Sequence, residues 1–474
     1  MNAAAVTSHL DAGYEQSCGE LCEFLSIPSV SAHPRHRRDM IDAADWLVAL
    51  LRRSGLAARI VSTGGHPLVL GHWRGAEGAP TVLLYGHYDV QPPDPLDEWT
   101  SPPFEPTLRD QRIYARGATD DKGQLFAHLK ALGAWLTVHG RVPVNVVVLI
   151  EGEEEVGGSG IAAFVRAEAE ELRCDAVVIS DSAMIAPGVP TIETSLRGLA
   201  GVEIAAIGPR TDLHSGEYGG VVMNPAVALC RIVAGLQDAE GRITIDGFYA
   251  GVREWPAAER EALRHVPFSE NAFLAQVDAP AEGGEAEYSL LERRWMRPSF
   301  DVTGMLSGYT GEGPKSVLPA RAMAKLSFRL VPEQSPADVL EKIEAHVRSG
   351  APAGIRIRVT PLGSARPWRT GRNSHAIRAA ARAFTRAFNR EPVFVGGGGS
   401  IPIVTDFSEV LGAPVVLAGF GSPGENAHAP NEWISEDHLR RGMHASACLW
   451  EELAAREAHP AVLHSGGGQA AEAP

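Results

Sequence analysis

Four short apolar runs, each followed at once by a residue that can bind a metal ion or move a proton, constrain the fold of this chain most. The runs occupy residues 81–85, 144–150, 176–180 and 414–421. Runs of this length and composition are typical of buried strands in a largely parallel sheet. Open α/β sheets hold their sites just beyond the carboxyl ends of such strands. The residues expected to converge in one cleft there are His87, Asp89, Glu154, Glu155, Asp181 and His428.

Charge and composition exclude several classes of partner. The 474 residues include 43 Lys and Arg against 58 Asp and Glu, a formal net charge of −15 that argues against a nucleic-acid or anionic-membrane partner. No stretch approaches the roughly 18 apolar residues of a membrane span, and the N-terminal segment lacks a secretory pattern. The five scattered cysteines favour reduced thiols. We therefore expect a cytoplasmic protein.

The order of predicted elements divides the chain. Strand and helix patterns alternate up to about Ser195, give way to amphipathic strands around longer helices and a loop-rich stretch over 245–315, and return near Ser374. Because His428 lies in the last stretch, the middle must be an insertion. The predicted fold is α/β, a mixed and mostly parallel sheet flanked by helices. Its parts are a catalytic domain in two pieces (1–194 and 367–458), an inserted α+β domain (195–366) and a disordered tail (459–474).

The candidate ligands are imidazoles and carboxylates without a thiolate, a mixture that suits Zn²⁺ and also Mn²⁺ or Co²⁺. Five such ligands are too many for one tetrahedral site but suffice for two ions if one carboxylate bridges them. Two ions about 3.5–4 Å apart can hold a hydroxide and polarise a carbonyl, as in aminopeptidases. The ligands that we predict are His87, Asp120, Glu155, Asp181 and His428.

Two positions beside these ligands are candidates for supporting roles. Asp89 follows His87 by two residues and is placed to accept the ring N–H of that histidine. Glu154 and Glu155 are adjacent, so their side chains should diverge, one as a ligand and the other as a general base. The neighbouring Glu153 leaves the assignment of these carboxylates ambiguous by one residue.

Each motif alone has an ordinary structural interpretation. A single His-x-Asp is a weak signal, and an acidic run such as EGEEEVG is usually a solvated loop. Residues 116–123 resemble a turn that caps a helix. Their combination, in this order and after these predicted strands, favours a metal centre.

Eight segments in succession resemble a known family. GHYDV, RGATDDKG, EGEEEVGGSG, ISD, DLHSGEYGG, KLSFRLVP, GGSIP and NAH resemble, in order, the motifs of the co-catalytic di-zinc amidohydrolases. That family includes carnosine-type dipeptidases, aminoacylases, succinyl-diaminopimelate desuccinylases and glutamate carboxypeptidases. The resemblance extends from about residue 20 to 455, with a spacing most similar to that of the cytosolic nonspecific dipeptidases.

The resemblance implies a ligand set and a zinc-exopeptidase-like fold. It implies that His87 and Asp181 bind one ion, that Glu155 and His428 bind the other, and that Asp120 bridges them. It also implies a cis peptide bond between Asp120 and the next residue.

The same resemblance implies the remaining roles. Glu154 would be the general base acting on a metal-bridging hydroxide. The inserted domain resembles the family's lid and dimerisation domain, whose His214 would reach into the partner's active site and stabilise an oxyanion. Arg329 would bind the substrate carboxylate, and Ser316 and Ser400 stand where relatives hydrogen-bond substrate.

One departure from the family pattern leaves the substrate open. Dipeptidase-like relatives commonly have Arg-Glu-Gly-Gly-Ser-Ile-Pro where this chain has four glycines, 396–399, before Ser400-Ile401-Pro402. If the missing glutamate normally holds the free amino group of a dipeptide, its loss weakens the case for a strict dipeptidase. We expect a dinuclear metallo-dipeptidase that works as a homodimer. The alternatives are an N-acyl-amino-acid amidohydrolase and a relative that binds peptides without turnover.

Overall fold

A computed structural model describes residues 1–275, 277–281 and 283–455, so the predicted tail over 459–474 lies outside the described residues. The strands, in chain order, are β1 Ala57–Val61, β2 Leu68–Trp73, β3 Thr81–His87, β4 Thr107–Arg109, β5 Arg112–Tyr114, β6 Asn145–Glu151, β7 Ala176–Ile179, β8 Thr191–Leu196, β9 Gly198–Ile207, β10 Leu213–His214, β11 Ser299–Ser307, β12 Val317–Leu318, β13 Arg321–Leu330, β14 Arg356–Ala365, β15 Trp368–Arg369, β16 Val393–Gly397, β17 Val415–Leu417 and β18 Trp433–Ser435.

The helices lie mainly between these strands. In chain order they are α1 Ala3–Ala12, α2 Tyr14–Leu25, α3 Arg37–Arg53, α4 Lys122–His139, α5 Gly160–Ala167, α6 Ser215–Tyr218, α7 Pro225–Ala234, α8 Ala257–Leu263, α9 Glu270–Ala275, α10 Leu290–Trp295, α11 Pro336–Ser349, α12 His375–Phe388, α13 Pro402–Asp406 and α14 Glu436–Ala454. Among the described residues, no helix combines the length and the apolar character that a bilayer span requires.

The larger sheet carries the predicted apolar runs at its centre. Its strand order is β1-β2-β6-β3-β7-β17-β8-β15, with β16 beside β8. Pairing is parallel among β6, β3, β7 and β17 and also between β16 and β8, and it is antiparallel in the other pairs. The predicted mixed sheet flanked by helices is confirmed, and the parallel part coincides with the four runs. Their carboxyl ends therefore meet at one edge.

Burial on both faces explains why these strands lack an alternating pattern. Residues 146–150 of β6 are all 0% exposed, because alternate side chains enter cores on opposite faces of the sheet. Val146, Val148 and Ile150 join the core that also contains α3, α4, α12 and α14, whereas Val147 and Leu149 join the core beside α5 and α13. The central strands are thus held in place from both sides.

A separate four-stranded sheet is built from residues between 198 and 365. Its order is β11-β13-β9-β14, all antiparallel, with α7 and α11 contributing to the core on one face. Along β13 every second residue from Ala322 to Leu330 is buried, as a sheet covered on one face requires. The prediction of a loop-rich stretch over 245–315 was wrong for β11. Its mostly exposed edge position leaves no alternating apolar pattern in the sequence.

Candidate metal centre

The predicted metal ligands come together at the carboxyl edge of the large sheet. His87 ends β3, Asp181 follows β7, Glu155 lies in a short 3₁₀ turn after β6, and Asp120 and His428 lie in loops before α4 and β18. The residues form two groups, and within each group the candidate ligand atoms all lie within 4.8 Å of one another. The first group is His87, Asp120 and Asp181, and the second is Asp120, Glu155 and His428.

Asp120 belongs to both groups because its two carboxylate oxygens face different histidines. Asp120 Oδ1 lies 3.2 Å from His87 Nε2, and Oδ2 lies 2.8 Å from His428 Nε2. On the outer sides, Asp181 Oδ2 is 3.6 Å from His87 Nε2 and Glu155 Oε2 is 3.3 Å from His428 Nε2. A carboxylate in this position can bridge two cations. The peptide bond after Asp120 is cis, as the resemblance implied.

His87 presents an unpartnered nitrogen to the first group. The residue is 0% exposed, and its Nε2 has no hydrogen-bond partner among the described residues. Its Nδ1 bonds the main-chain carbonyl of Asp89 at 3.0 Å, with the carboxylate Oδ1 farther away at 3.5 Å. A buried nitrogen that lacks a partner is costly, so a ligand to Nε2 is expected.

The expected role of Asp89 needs a correction in detail. The main-chain carbonyl of Asp89, rather than its carboxylate, makes the hydrogen bond to the His87 ring. The carboxylate instead accepts the main-chain N–H groups of Glu154 and Glu155, at 3.3 and 3.1 Å. Asp89 therefore connects the end of β3 to the turn after β6 that contains Glu154 and Glu155. The local sequence gave no indication of these long-range bonds.

The electrostatic environment favours positive charge at both groups. Burial lowers the pKa of His87, but the carboxylates of Asp120 and Asp181 outweigh it and hold that pKa well above its usual value. Hydrogen bonds to Asp120 and Glu155 raise the pKa of His428 to about 10. Surroundings that favour a protonated imidazole equally favour a divalent cation coordinated by the neutral imidazole. Geometry, donor types and charge therefore all fit two metal ions.

The adjacent glutamates point in different directions. Burial raises the pKa of Glu154 to about 8, the positive charge of His87 opposes this, and the negative charge of Asp181 adds to it. Glu153 is turned away, since its Oε1 would lie only 2.1 Å from a Cβ placed on Gly65. This position of Glu153 favours Glu154 as the carboxyl group that faces the candidate ligands.

Glu432 is a buried residue of the centre that sequence reasoning missed. It is 0% exposed and accepts a hydrogen bond of 2.7 Å from Arg116 Nη1. It also accepts main-chain N–H groups of residues 117, 119 and 120 at 2.9–3.1 Å. Glu432 thus ties the turn that carries Asp120 to the loop that carries His428. No pattern marks it in the sequence beyond its place four residues after His428.

The predicted substrate residues lie in two separate places. Arg329 on β13 donates a hydrogen bond of 3.3 Å to the hydroxyl of Ser400, which itself donates to the carbonyl of Arg197. His214 ends β10, which pairs with β12, and Ser316 directly precedes β12, where its carbonyl accepts the N–H of Ser215. The His214 ring is exposed and accepts the N–H of Gly216. Neither His214 nor Ser316 belongs to the two ligand groups.

Two ligand groups that share one carboxylate, at the carboxyl edge of an α/β sheet, define the class of dinuclear metallohydrolases. Comparison with known proteins specifies the family. Residues 83–452 match the family model of Peptidase family M20/M25/M40, and this chain belongs to that family.

The similarity to individual members covers nearly the whole chain. The Cys-Gly metallodipeptidase of Schizosaccharomyces pombe is 30% identical over 94% of this chain and 97% of its own length. The crystal structure of human carnosine dipeptidase 1 has a TM-score of 0.82 at 27% identity, covering 95% of this chain and 98% of that one. An M20 family metallo-carboxypeptidase from Sulfolobus solfataricus has a TM-score of 0.83 at 34% identity, covering 92% and 99%.

Proposed function

We propose that this protein is a zinc-dependent dipeptidase that hydrolyses the amide bond next to the substrate's terminal carboxylate. The observation that carries the proposal is the position of the Asp120 carboxylate, with one oxygen toward His87 and the other toward His428. The dipeptidases among its relatives support the choice of substrate.

The proposed metal sites follow from the two groups of ligands. His87 and Asp181 would hold one ion, Glu155 and His428 the other, and Asp120 both. Imidazole and carboxylate donors without a thiolate suit Zn²⁺, with Mn²⁺ or Co²⁺ as possible substitutes. When bound, such ions polarise a carbonyl group and make water more acidic.

The side chains around the ions would transfer protons, bind the substrate carboxylate and stabilise the oxyanion. Glu154 would accept a proton from the attacking water and give it to the leaving nitrogen. Arg329, held by Ser400, would bind the substrate carboxylate in a bidentate manner. His214 from a partner subunit would stabilise the developing oxyanion, and Ser316, which directly precedes β12, would hydrogen-bond the substrate.

A homodimer joined through the smaller sheet is part of the proposal. The edge strand β11 has apolar side chains in contact with solvent, since Val302, Met305 and Leu306 are 44%, 48% and 54% exposed. Unpaired edges of this kind readily associate with a second chain. All five cysteines are unpaired, which supports a location in the reducing cytoplasm.

An N-acyl-amino-acid amidohydrolase is the second candidate. It is favoured by the glycines at 396 and 397, where dipeptidase-like relatives commonly have a charged pair. Both functions would use the same metal centre and differ in what binds on the amino side of the scissile bond.

Removal and return of metal tests the function. We expect the purified protein to hydrolyse dipeptides such as Leu-Gly, to lose this activity with complete chelation, and to recover it when Zn²⁺, Mn²⁺ or Co²⁺ is added. Metal content is measured alongside activity, and the far-UV circular dichroism of the chelated protein serves as the folding control. Activity that persists after verified removal of all metal would reject the mechanism.

A further inference from the structure

A pocket of about 550 Å³ is lined by residues that adjoin the candidate ligands in sequence, and it contains none of the ligands themselves. Its walls come from the segment just after Asp181, from strands β8 and β16, and from residues 423 and 424 shortly before His428. Its volume is within the range of small-molecule sites. We name it the Glu193 pocket, after the carboxylate in its wall; its other main lining residues are Met184, Ile185, Phe273, Arg294 and Trp295.

Glu193 lacks a partner in this pocket. Within the described part of the chain, its carboxylate receives no hydrogen bond and forms no ion pair. Burial raises its pKa to about 7, against the opposing charge of Arg294. Glu193 lines the pocket, so a positively charged ligand group bound there can form an ion pair with its carboxylate.

The glycines at 396 and 397 make room for the pocket wall. A Cβ on Gly397 would lie 2.6 Å from Glu193 Oε2, and a Cβ on Gly396 would lie 2.7 Å from the Cβ of Trp295. Glu193 therefore places a carboxylate where a side chain at 397 would begin. The chain lacks the glutamate that relatives commonly have at 397, and a Cβ at that position would meet the carboxylate of Glu193 from β8.

Arg294 and the apolar walls define what the pocket can accept. The Arg294 guanidinium lies over the Phe273 ring, 5.0 Å from its centroid, and its charge helps to keep Glu193 ionised. Met184, Ile185 and Trp295 supply apolar surface. An ammonium group on a residue with an apolar side chain can form an ion pair with Glu193 here, whereas an acylated nitrogen cannot.

We propose that Glu193 binds the free α-amino group of the substrate's first residue, whose side chain enters the Glu193 pocket, so that the enzyme selects dipeptides over N-acyl amino acids. This inference rests on the proposed peptidase function, because it names the substrate class of that same centre. It also resolves the choice left open by the four-glycine run, since it assigns the amino-group contact to a residue outside that motif.

The test compares two substrates that differ only in the amine. Leu-Gly and 4-methylpentanoyl-glycine have the same carbon skeleton, and the second lacks the α-amino group. For the zinc-loaded enzyme we expect kcat/KM to favour Leu-Gly by about 10²-fold or more. Glu193→Gln should lower kcat/KM for Leu-Gly about 10²-fold and leave the value for the analogue within about twofold. Glu391→Gln, at an exposed glutamate, is the control of equal charge change.

Binding measured without turnover keeps the two proposals distinguishable. Calorimetry compares the Glu154→Gln variant with the double variant that also carries Glu193→Gln. We expect the dissociation constant for Leu-Gly to be about 10²-fold higher in the double variant. Equal effects on both ligands, or none on either, would overturn the role of Glu193 even if the enzyme is an active dipeptidase. Amine-selective binding that depends on Glu193, with no hydrolysis by the wild type, would support the pocket and reject the proposed function. Unchanged melting temperatures establish that each variant is folded.

Discussion

His87 in the candidate metal centre and His214 on the ribbon of β10 and β12 are two predicted site histidines in opposite surroundings. In the centre, His87 is 0% exposed, and the other candidate ligands come from four other segments of the same chain. On the ribbon, His214 is exposed, and its ring accepts a main-chain N–H from two residues away. The difference indicates that one chain builds the metal centre alone, whereas the ribbon presents a residue that is available to another surface.

The largest expected effect concerns the metal centre, where Glu154 is the proposed general base. Glu154→Gln removes the proposed base but none of the ligands, so we expect kcat to fall by about 10²–10⁴-fold while both metals remain bound. Metal content by atomic emission and steady-state kinetics on a dipeptide are the two measurements.

The adjacent glutamate provides the matched control. Glu155→Gln makes the same chemical change one residue later and should cost one metal ion, because Glu155 lies in a ligand group. If Glu154→Gln lost a metal and Glu155→Gln retained both, the two roles would have to be exchanged.

The next largest effect tests whether the exposed His214 of the ribbon takes part in catalysis. His214→Ala should lower kcat by about 10²–10³-fold, because an oxyanion donor is removed. Both metals should be retained, and the melting temperature should be unchanged since the side chain is exposed.

Mixing two inactive variants tests whether His214 acts across a dimer. Co-refolded or co-expressed His214→Ala and Glu154→Gln chains should recover about a quarter of the wild-type activity, because about half of the dimers are mixed and each has one complete site. No recovery in verified mixed dimers would mean that His214 acts within its own subunit, or not at all.

The smallest effect concerns what keeps the metal centre in place. Glu432→Gln weakens the bonds to the turn that carries Asp120, so we expect metal affinity to fall by about 10–100-fold. Competition with a chelating dye measures the affinity below the unfolding temperature. Glu285→Gln changes another buried glutamate, paired with Arg297 in the inserted region. Glu285→Gln should lower the melting temperature about as much as Glu432→Gln does, without altering metal affinity. If both variants lost metal affinity to the same extent, the role of Glu432 would be merely structural.

The sequence predicted most of the residues that meet at this edge of the sheet, because several of them directly follow apolar runs that form buried strands. His87 and Asp181 follow buried runs directly, and a parallel sheet brings such ends together whatever the loops do. Asp120 has no strand before it and was found through its motif. Glu432 and Glu193 were not predicted, because each acts through residues that are near only in the folded chain. Strand β11 was not predicted, because an exposed edge strand has no alternating apolar pattern.

The sequence by itself determined the α/β fold and the chemical types of the candidate ligands, since strand burial and side-chain chemistry are local properties. Only the tertiary structure decided which backbone groups Asp89 and Glu432 hold, and that Glu193 lies against Gly397. These are distances between residues far apart in the chain. They depend on how the layers pack, which no local pattern specifies.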